Sequence, residues 1–572
     1  MLSRKSKSLT QSSISSVSYR AQAPRQDRRL ALGRMLSRAS QGSRSDLVAL
    51  LLGAVLGLGL LGFSRISVID DAYISFRYAH NLAEGHGFVF NSGEYVEGYT
   101  SLLWTLLMAL PEALHFSVSS FAVSLGLVFG LLALFELWRV CRLLGLSPWG
   151  TSAAMIGLGL FPEYWLTLTM GLEGGLFAFL LCHTVYLSLS KRWIWAGLYG
   201  GLLFATRPEA VLLIPAFVAY LVLTALNHYS SPQDYRPLVR QMLSLLAPWL
   251  AVVAMVTAWR LTYYGAWLPN SVVAKSPPEY SVGTLWSNFR HGAQYLAHFG
   301  QLSLLLTLGS FIAVVLAWRK PAVWLCLGGL AAEAAAILLN GGDWMPNHRL
   351  IAPYAPLLAI LLSIAVSRVS EIGRLGRPLS VALVAVGAVC MLWPHKWEGG
   401  PDADIREADG CYGAIAAELA PALLPSDTIA PDALGLASYI DAHVYSHDKF
   451  GLADREIARH GPYYIPTLGK LDPLYTFYQI SPTVYFTHGD AHDPRWLEYL
   501  TDGEYTRRYA TYRLQGMDHS GEPDCQSEKS QYIVSIRRGE AKRRFLSSLN
   551  ELEPKPLSIP HRERFVPWFQ RN

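Results

Sequence analysis

Two adjacent carboxylates, Asp70 and Asp71, open the stretch DDAYISFRYAHNLAEGHGFVFNSGEYVEGYTS, shortly after the apolar run Leu47 to Phe63. A carboxylate in such a place can cap a helix or take a proton from a hydroxyl. Asp is a favoured N-cap, and AYISFRYAHNLAEG reads as a short amphipathic helix ended by Gly85. Neighbouring side chains diverge, so one Asp cannot share the other's capping role. The second is left at an apolar boundary, where an ionised group without a role is costly. Further along, Arg77, Lys275, His348 and Arg349 have the charge to hold a phosphate, or else they snorkel at an interface. Trp344 and Tyr99 suit a sugar ring or an aromatic belt, and the acids Asp343 and Glu97 lie beside them in the same motifs. Arg207 close to Glu209 reads as a structural ion pair, and Glu173 lies in another polar segment, TMGLEGG.

The elements that must position these groups follow from composition. Of 572 residues, 51% are hydrophobic and only 16% charged, against about 25% in ordinary soluble chains. Apolar runs recur as far as Trp393, and the sequence then turns polar. Three parts result: a basic, disordered, cytoplasmic head (1–45), a multispanning body (46–394), and an extracytoplasmic soluble domain (395–572). The head carries ten Lys or Arg against one acid, Asp27, and no small-residue cleavage site follows the first apolar run, so a cleavable signal peptide is not expected. The net charge of +5 sits largely in the head, and no nucleic-acid motif occurs, so no nucleic-acid partner is expected.

Eleven apolar segments are expected to span: Asp46–Ser64, Val118–Trp138, Thr151–Thr169, Gly171–Ser190, Trp193–Thr206, Glu209–Leu226, Ser244–Tyr264, Gln301–Trp318, Ala322–Asn340, Arg349–Val366 and Leu379–Pro394. With eleven, the basic connections at Arg139/Arg142, Lys191/Arg192, Arg236/Arg240, Arg319/Lys320 and Arg368/Arg374/Arg377 all fall on the side of the basic head. Leu102–Leu114, short and containing Pro111, is then re-entrant or interfacial within the first outer loop, 65–117. The same parity puts the Asp-Asp loop, Glu173, TRPE, YYGAWLPNSVVAKSPP, NGGDWMPNHR and the tail together on the outer side.

In the tail, DTIAPDAL reads as strand and turn, DREIARHG as a short helix, and PTVYFTH and YIVSIRR as strands, a mixed α/β domain. Cys411 and Cys525 are the only tail cysteines, and an oxidising compartment makes them a disulfide candidate. The other four cysteines lie in or beside spans. No metal-type Cys/His spacing, P-loop or dinucleotide-binding glycine pattern occurs. No cofactor is expected, and a divalent metal is left open.

DDAYISFRYAHNLAEGHGFVFNSGEYVEGYTSLLW, GLEGG, TRPEA, YYGAWLPN, GGDWMPNHR and GLADREIARHG follow one another in this order. Together they resemble the bacterial GT-C glycosyltransferases related to mycobacterial-type terminal arabinofuranosyltransferases and to a pilin arabinosyltransferase. The resemblance runs from about Ser64 to His460. It departs at Gly174, where a Thr is expected after the Glu, and in the long basic head. It implies a GT-C body of multispanning helices in the bacterial cytoplasmic (inner) membrane, with the active site extracytoplasmic. It also implies a polyprenyl-phosphate-linked sugar as donor, arabinofuranose by best match, and a glycan or a protein such as pilin as acceptor. The acidic pair would be catalytic: Asp70 the base and Asp71 its orienting or capping partner in an inverting transfer, or an Asp as nucleophile or front-face stabiliser in a retaining one. Arg349, His348, Lys275 and Arg77 would bind the donor phosphate, and Trp344, Asp343, Glu97 and Tyr99 the sugar or acceptor. The competing readings are a transporter or flippase of a lipid-linked glycan and a non-catalytic glycan-assembly protein. A transporter places ionisable groups near mid-span, whereas here the polar motifs gather at span ends on one side.

Overall fold

The computed structural model describes residues 25–62, 68–226, 236–277, 281–343, 345, 347–392, 413, 415–465, 469–488, 503–514, 532–548 and 555–556. Six helices are long and apolar enough to cross a membrane: Arg44–Gly62, Val118–Leu143, Pro208–Leu226, Arg236–Tyr264, Pro321–Asn340 and Ala352–Ser370. Val282–Leu302 and Leu304–Ala317 make a seventh if counted as one span, but they bend by 95° at Ser303. Leu102–Ala113, Gly174–Leu189, Trp193–Thr206 and Gly376–Leu392 are apolar but shorter. Helices therefore occupy all eleven expected segments, while the number of full-length spans among the described residues is six or seven.

Two differences have local causes. Thr151–Thr169 is two helices, Pro148–Gly159 and Pro162–Thr169, because Pro162 has no N–H to continue the ladder and instead starts a new helix. The first helix runs Arg25–Gly62, so it reaches back into the head expected to be disordered. At its base Asp46 pairs with Arg142 at 2.5 Å, tying it to the end of Val118–Leu143. Ala352–Ser370 is the central helix: 94% of its apolar window is buried inside the protein, against 22–44% for the other five.

The tail holds a mixed sheet. Its strands are β1 (Thr428–Pro431), β2 (Tyr445–Ser446), β5 (Val484–His488), β6 (Tyr509–Leu514), β7 (Tyr532–Arg537) and β8 (Lys555–Pro556), in the order β2-β1-β5-β7-β6-β8. β1 runs parallel to β2 and β5, and the remaining pairs are antiparallel. β3 (Tyr463–Ile465) and β4 (Gly469–Lys470) form a separate hairpin. Ile429, Val484, Phe486, Val534, Ile536 and Phe545 fill the tail's core. A second apolar cluster joins tail to body: Ile74, Tyr78 and Phe90 of the first loop pack with Tyr264, Leu434 and Ala453. The tail thus sits on the end of the helices that bears the Asp pair.

Candidate active site

The helix Asp70–Ala83 begins at the acidic pair, with Ile69 as its N-cap and no side-chain cap of its own. Helical periodicity then sorts its residues. Asp70 and Arg77, seven apart, share one face, while Asp71, Ile74 and Ser75 share another. The first face meets the tail. Asp70 accepts from the N–H groups of Gly435 (2.9 Å) and Leu436 (2.7 Å). These are the second and third residues of the helix Leu434–Ile440, whose own N-cap, Ala433, offers no side-chain acceptor. Asp70 is therefore an N-cap supplied from another part of the chain. Burial pushes its carboxyl up to about 7, against the lowering effect of the two N–H bonds.

Asp71 lines a cavity of about 250 Å³ between the first loop, the 270s segment and the loop after Asn340. Its carboxylate is 23% exposed and accepts from Arg349 Nη1 at 2.9 Å. Arg349 turns its other edge to Asp343, through Nε at 2.5 Å and Nη2 at 3.4 Å. Burial would raise Asp343, but the guanidinium outweighs it and holds the carboxyl below the usual range. Lys275 also lines the cavity and makes no ion pair among the described residues. Asp71, the guanidinium it shares with Asp343, and the Lys275 ammonium thus face a single space, which Glu173, Glu209, Glu333 and Arg207 also line.

The loop carrying Arg349 is braced from behind. Gly341 and Gly342 are left-handed, and so are Asn347 (φ 60) and His348 (φ 45), a conformation that costs a non-glycine residue about 1–2 kcal/mol. The compensation is local. Thr167 Oγ1 donates to Asn347 O at 3.0 Å, and His348 Nδ1 lies 3.0 Å from Glu163. Arg207, paired with Glu173 at 2.8 Å, donates to the carbonyls of Arg349 and Leu350.

Several expected site residues lie elsewhere. Arg77 is not placed for phosphate: buried, it donates to the carbonyls of Phe90, Ser438 and Val444 and to Asn91 Oδ1, so it latches the tail. His348 stands behind the loop with its second nitrogen 3.1 Å from His298. Glu97 is buried away from the cavity in a forked pair with Arg260, at 2.5 and 3.1 Å. Tyr99 lines the cavity, though its hydroxyl is spent on Tyr264 at 3.1 Å. The roles expected of the acidic pair are exchanged in space: Asp70 caps, and Asp71 faces the cavity. Trp344, Cys411 and Cys525 lie outside the described residues. Cys141, Cys182 and Cys326 are buried free thiols, and Cys390 is half-buried.

Sequence reasoning passed over Glu333, Arg260, Glu163 and the tail's Gly435. Glu333, a lone acid inside the apolar run AAEAAAILL, lines the cavity floor with Glu209. A mid-span carboxylate was a readable signal. Gly435 carried none. Among the described residues, no group of three His, Cys, Asp or Glu is placed to hold a metal ion.

No family model matches the chain. The chain is 28% identical over 429 residues to a terminal β-(1→2)-arabinofuranosyltransferase of Corynebacterium glutamicum, covering 66% of this chain and 60% of that protein. It is 27% identical over 351 residues to the enzyme of the same name from Mycobacterium tuberculosis, covering 52% of each. The chain therefore spans just over half the length of these relatives. Among solved structures, an Archaeoglobus fulgidus oligosaccharyltransferase tethered with an acceptor peptide aligns at TM-score 0.46 and 12% identity, over 88% of this chain and 77% of that one. ArnT from Cupriavidus metallidurans, bound to undecaprenyl phosphate, aligns at 0.49 and 11%, over 86% and 97%. In sequence, the chain is similar to the terminal arabinofuranosyltransferases, as its ordered motifs lead one to expect.

Proposed function

We propose that this protein is a membrane glycosyltransferase that moves a sugar, arabinofuranose by preference, from a polyprenyl-phosphate donor to an acceptor hydroxyl on the extracytoplasmic side. The observation that carries the reading is the Asp71–Arg349–Asp343 arrangement facing a cavity that Lys275 also lines. Asp71 takes the proton of the acceptor hydroxyl. The freed oxygen attacks the anomeric carbon, the bond from that carbon to the phosphate oxygen breaks, and the lipid phosphate leaves with the electron pair. Arg349 and Lys275 stabilise the charge that develops there. Arg349 also touches Asp71, so one guanidinium fixes the distance between base and leaving group. The relatives' names support arabinofuranose as the sugar. The basic connections, if all eleven segments span, favour the extracytoplasmic side for the site.

Purified protein in nanodiscs, given synthetic polyprenyl-phosphoryl arabinofuranose and an arabinofuranose oligosaccharide, should release polyprenyl phosphate and lengthen the acceptor. A nucleotide-linked arabinose should not serve. Transfer from the nucleotide donor, or no transfer from the lipid donor, overturns the reading.

A further inference from the structure

A second cavity lies outside the catalytic pocket, between the first loop, the end of the helix Arg236–Tyr264 and the tail. It encloses about 720 Å³, inside the range of about 300–1,000 Å³ typical of ligand sites. Nothing in the transfer chemistry uses it. We infer that it is a saccharide-binding groove that holds the acceptor as an extended glycan; the inference rests on the glycosyltransferase reading and names its acceptor class.

The lining carries the inference. Tyr95, Tyr263, Tyr445 and Tyr475 contribute rings. Tyr95 is 52% exposed and meets Tyr263 edge-on, with centroids 5.2 Å apart. An aromatic ring offers a flat apolar face and a polar tip, which suits the two-sided character of a sugar ring. Among the described residues, no side-chain hydrogen bond engages the hydroxyl of Tyr95 or Tyr475, so both are available to a ligand. Between the rings stand carboxylates: Glu94, which accepts from Tyr445 at 3.0 Å, Asp454 and Glu456. Carboxylates accept the hydrogen bonds that sugar hydroxyls donate.

The charges come close to cancelling. Arg455 and Arg459 stand against the three acids, and His460 lies 2.9 Å from Glu456. A groove for a phosphate or a polyanion would carry an excess of cations; this one fits a neutral polyhydroxyl chain.

Position completes the case. The wall between the two cavities is thin: Gly98 and Leu452 line the catalytic pocket, while Val96, two residues before Gly98, and Ala453, next to Leu452, line the groove. Gly98 permits this, because a Cβ there would meet Leu452 O at 3.1 Å and Ala453 Cβ at 3.2 Å. Arg455 locks the wall by donating to the carbonyls of Tyr95 (2.8 Å) and Tyr264 (2.7 Å). A chain lying in the groove ends beside Asp71's pocket.

The test uses full-length protein in nanodiscs and linear arabinofuranose oligosaccharides of increasing length. KM should fall as the acceptor lengthens. Tyr95→Ala and Tyr475→Ala should each raise KM for the longest oligosaccharide by about tenfold, while transfer to the shortest acceptor and hydrolysis of the donor by water stay parental. Tyr95→Phe, which keeps the ring, should stay close to parental. Calorimetric titration of the same oligosaccharide into Asp71→Asn protein reads binding without transfer. If it binds there and Tyr95→Ala weakens it while no donor supports transfer, the groove stands and the glycosyltransferase reading falls. If KM ignores acceptor length, both alanine variants are parental, or a peptide binds the groove in place of the saccharide, the groove proposal is overturned.

Discussion

Replacing Gly435 by Ala alters the catalytic pocket without touching any residue in it. A Cβ at this position would lie 1.8 Å from the carbonyl oxygen of Asp70 and 3.1 Å from its Cγ. Real Cβ contacts do not fall below about 3 Å, so the tail helix and the acidic pair must part by more than about 1 Å. The bonds from Gly435 and Leu436 to Asp70, now 2.9 and 2.7 Å, then open beyond hydrogen-bond range. Each such hydrogen bond is worth about 0.5–1.5 kcal/mol, and a displacement of about 1 Å near the chemistry can cost on the order of 10²-fold in rate. Gly435→Ala should therefore lose on the order of 10²-fold in single-turnover transfer while its donor affinity changes little. Asp70→Asn keeps one acceptor oxygen for two N–H groups and should lose less. Because both act at one contact, adding Gly435→Ala to Asp70→Asn should cost little more than Gly435→Ala alone. The assay is transfer from a polyprenyl-phosphoryl sugar at matched folded concentration. A parental rate in Gly435→Ala, or fully additive losses in the double variant, would refute Asp70 as a cap for the tail helix.

The remaining predictions concern the charges around that contact. Arg349→Lys keeps the charge but cannot bridge Asp71 and Asp343 with a fork, so turnover should fall by about 10²-fold or more; an unchanged rate would show that only the charge matters. Arg260→Met strands the buried Glu97 and should cost about 3–5 kcal/mol of stability, visible as a lower melting temperature, with recovery when Glu97→Gln is added. Burial raises the Asp70 carboxyl to about 7 in the folded chain from its ordinary value of 3.8, so between these values the folded chain holds a proton that the unfolded chain releases. Stability should therefore fall as pH rises through that window, and Asp70→Asn should flatten the slope in part, since Asp441, also raised to about 7 by burial, titrates in the same range. An unaltered slope in Asp70→Asn would count against the buried carboxyl.

Much of this architecture was legible along the chain. The apolar segments predicted helices because each must satisfy its backbone internally, and the strands at PTVYFTH and YIVSIRR followed from their β-branched and aromatic residues. The polar motifs that converge on Asp71's cavity were also readable, including GLEGG through Glu173 and NGGDWMPNHR through Asp343 and Arg349. The division of labour within the acidic pair was not. It depends on a glycine 365 residues away that makes room for Asp70, and no local pattern announces that. Arg77 was misread for a different reason. Its spacing of seven from Asp70 places both on one helix face, so it had to follow Asp70 toward the tail once the helix began at Asp70. The resemblance implies ligand-facing roles for His348 and Glu97, yet both pair with partners distant in sequence, Glu163 and Arg260, which no local pattern shows. Helix length was less legible than helix location: among the described residues six of the apolar helices, or seven with the pair bent at Ser303, are long enough to cross a membrane, and Thr151–Thr169 is interrupted where Pro162 starts a new helix.

The central claim is that Asp71, and not Asp70, meets the acceptor hydroxyl. Single-turnover transfer from polyprenyl-phosphoryl arabinofuranose in nanodiscs, with donor affinity measured in parallel, tests it most directly. Asp71→Asn should fall by about 10²–10⁴-fold, the usual contribution of a general base, with donor affinity preserved. Asp71→Asn transferring at the parental rate, or Asp70→Asn alone abolishing transfer while the tail remains docked, would contradict the account.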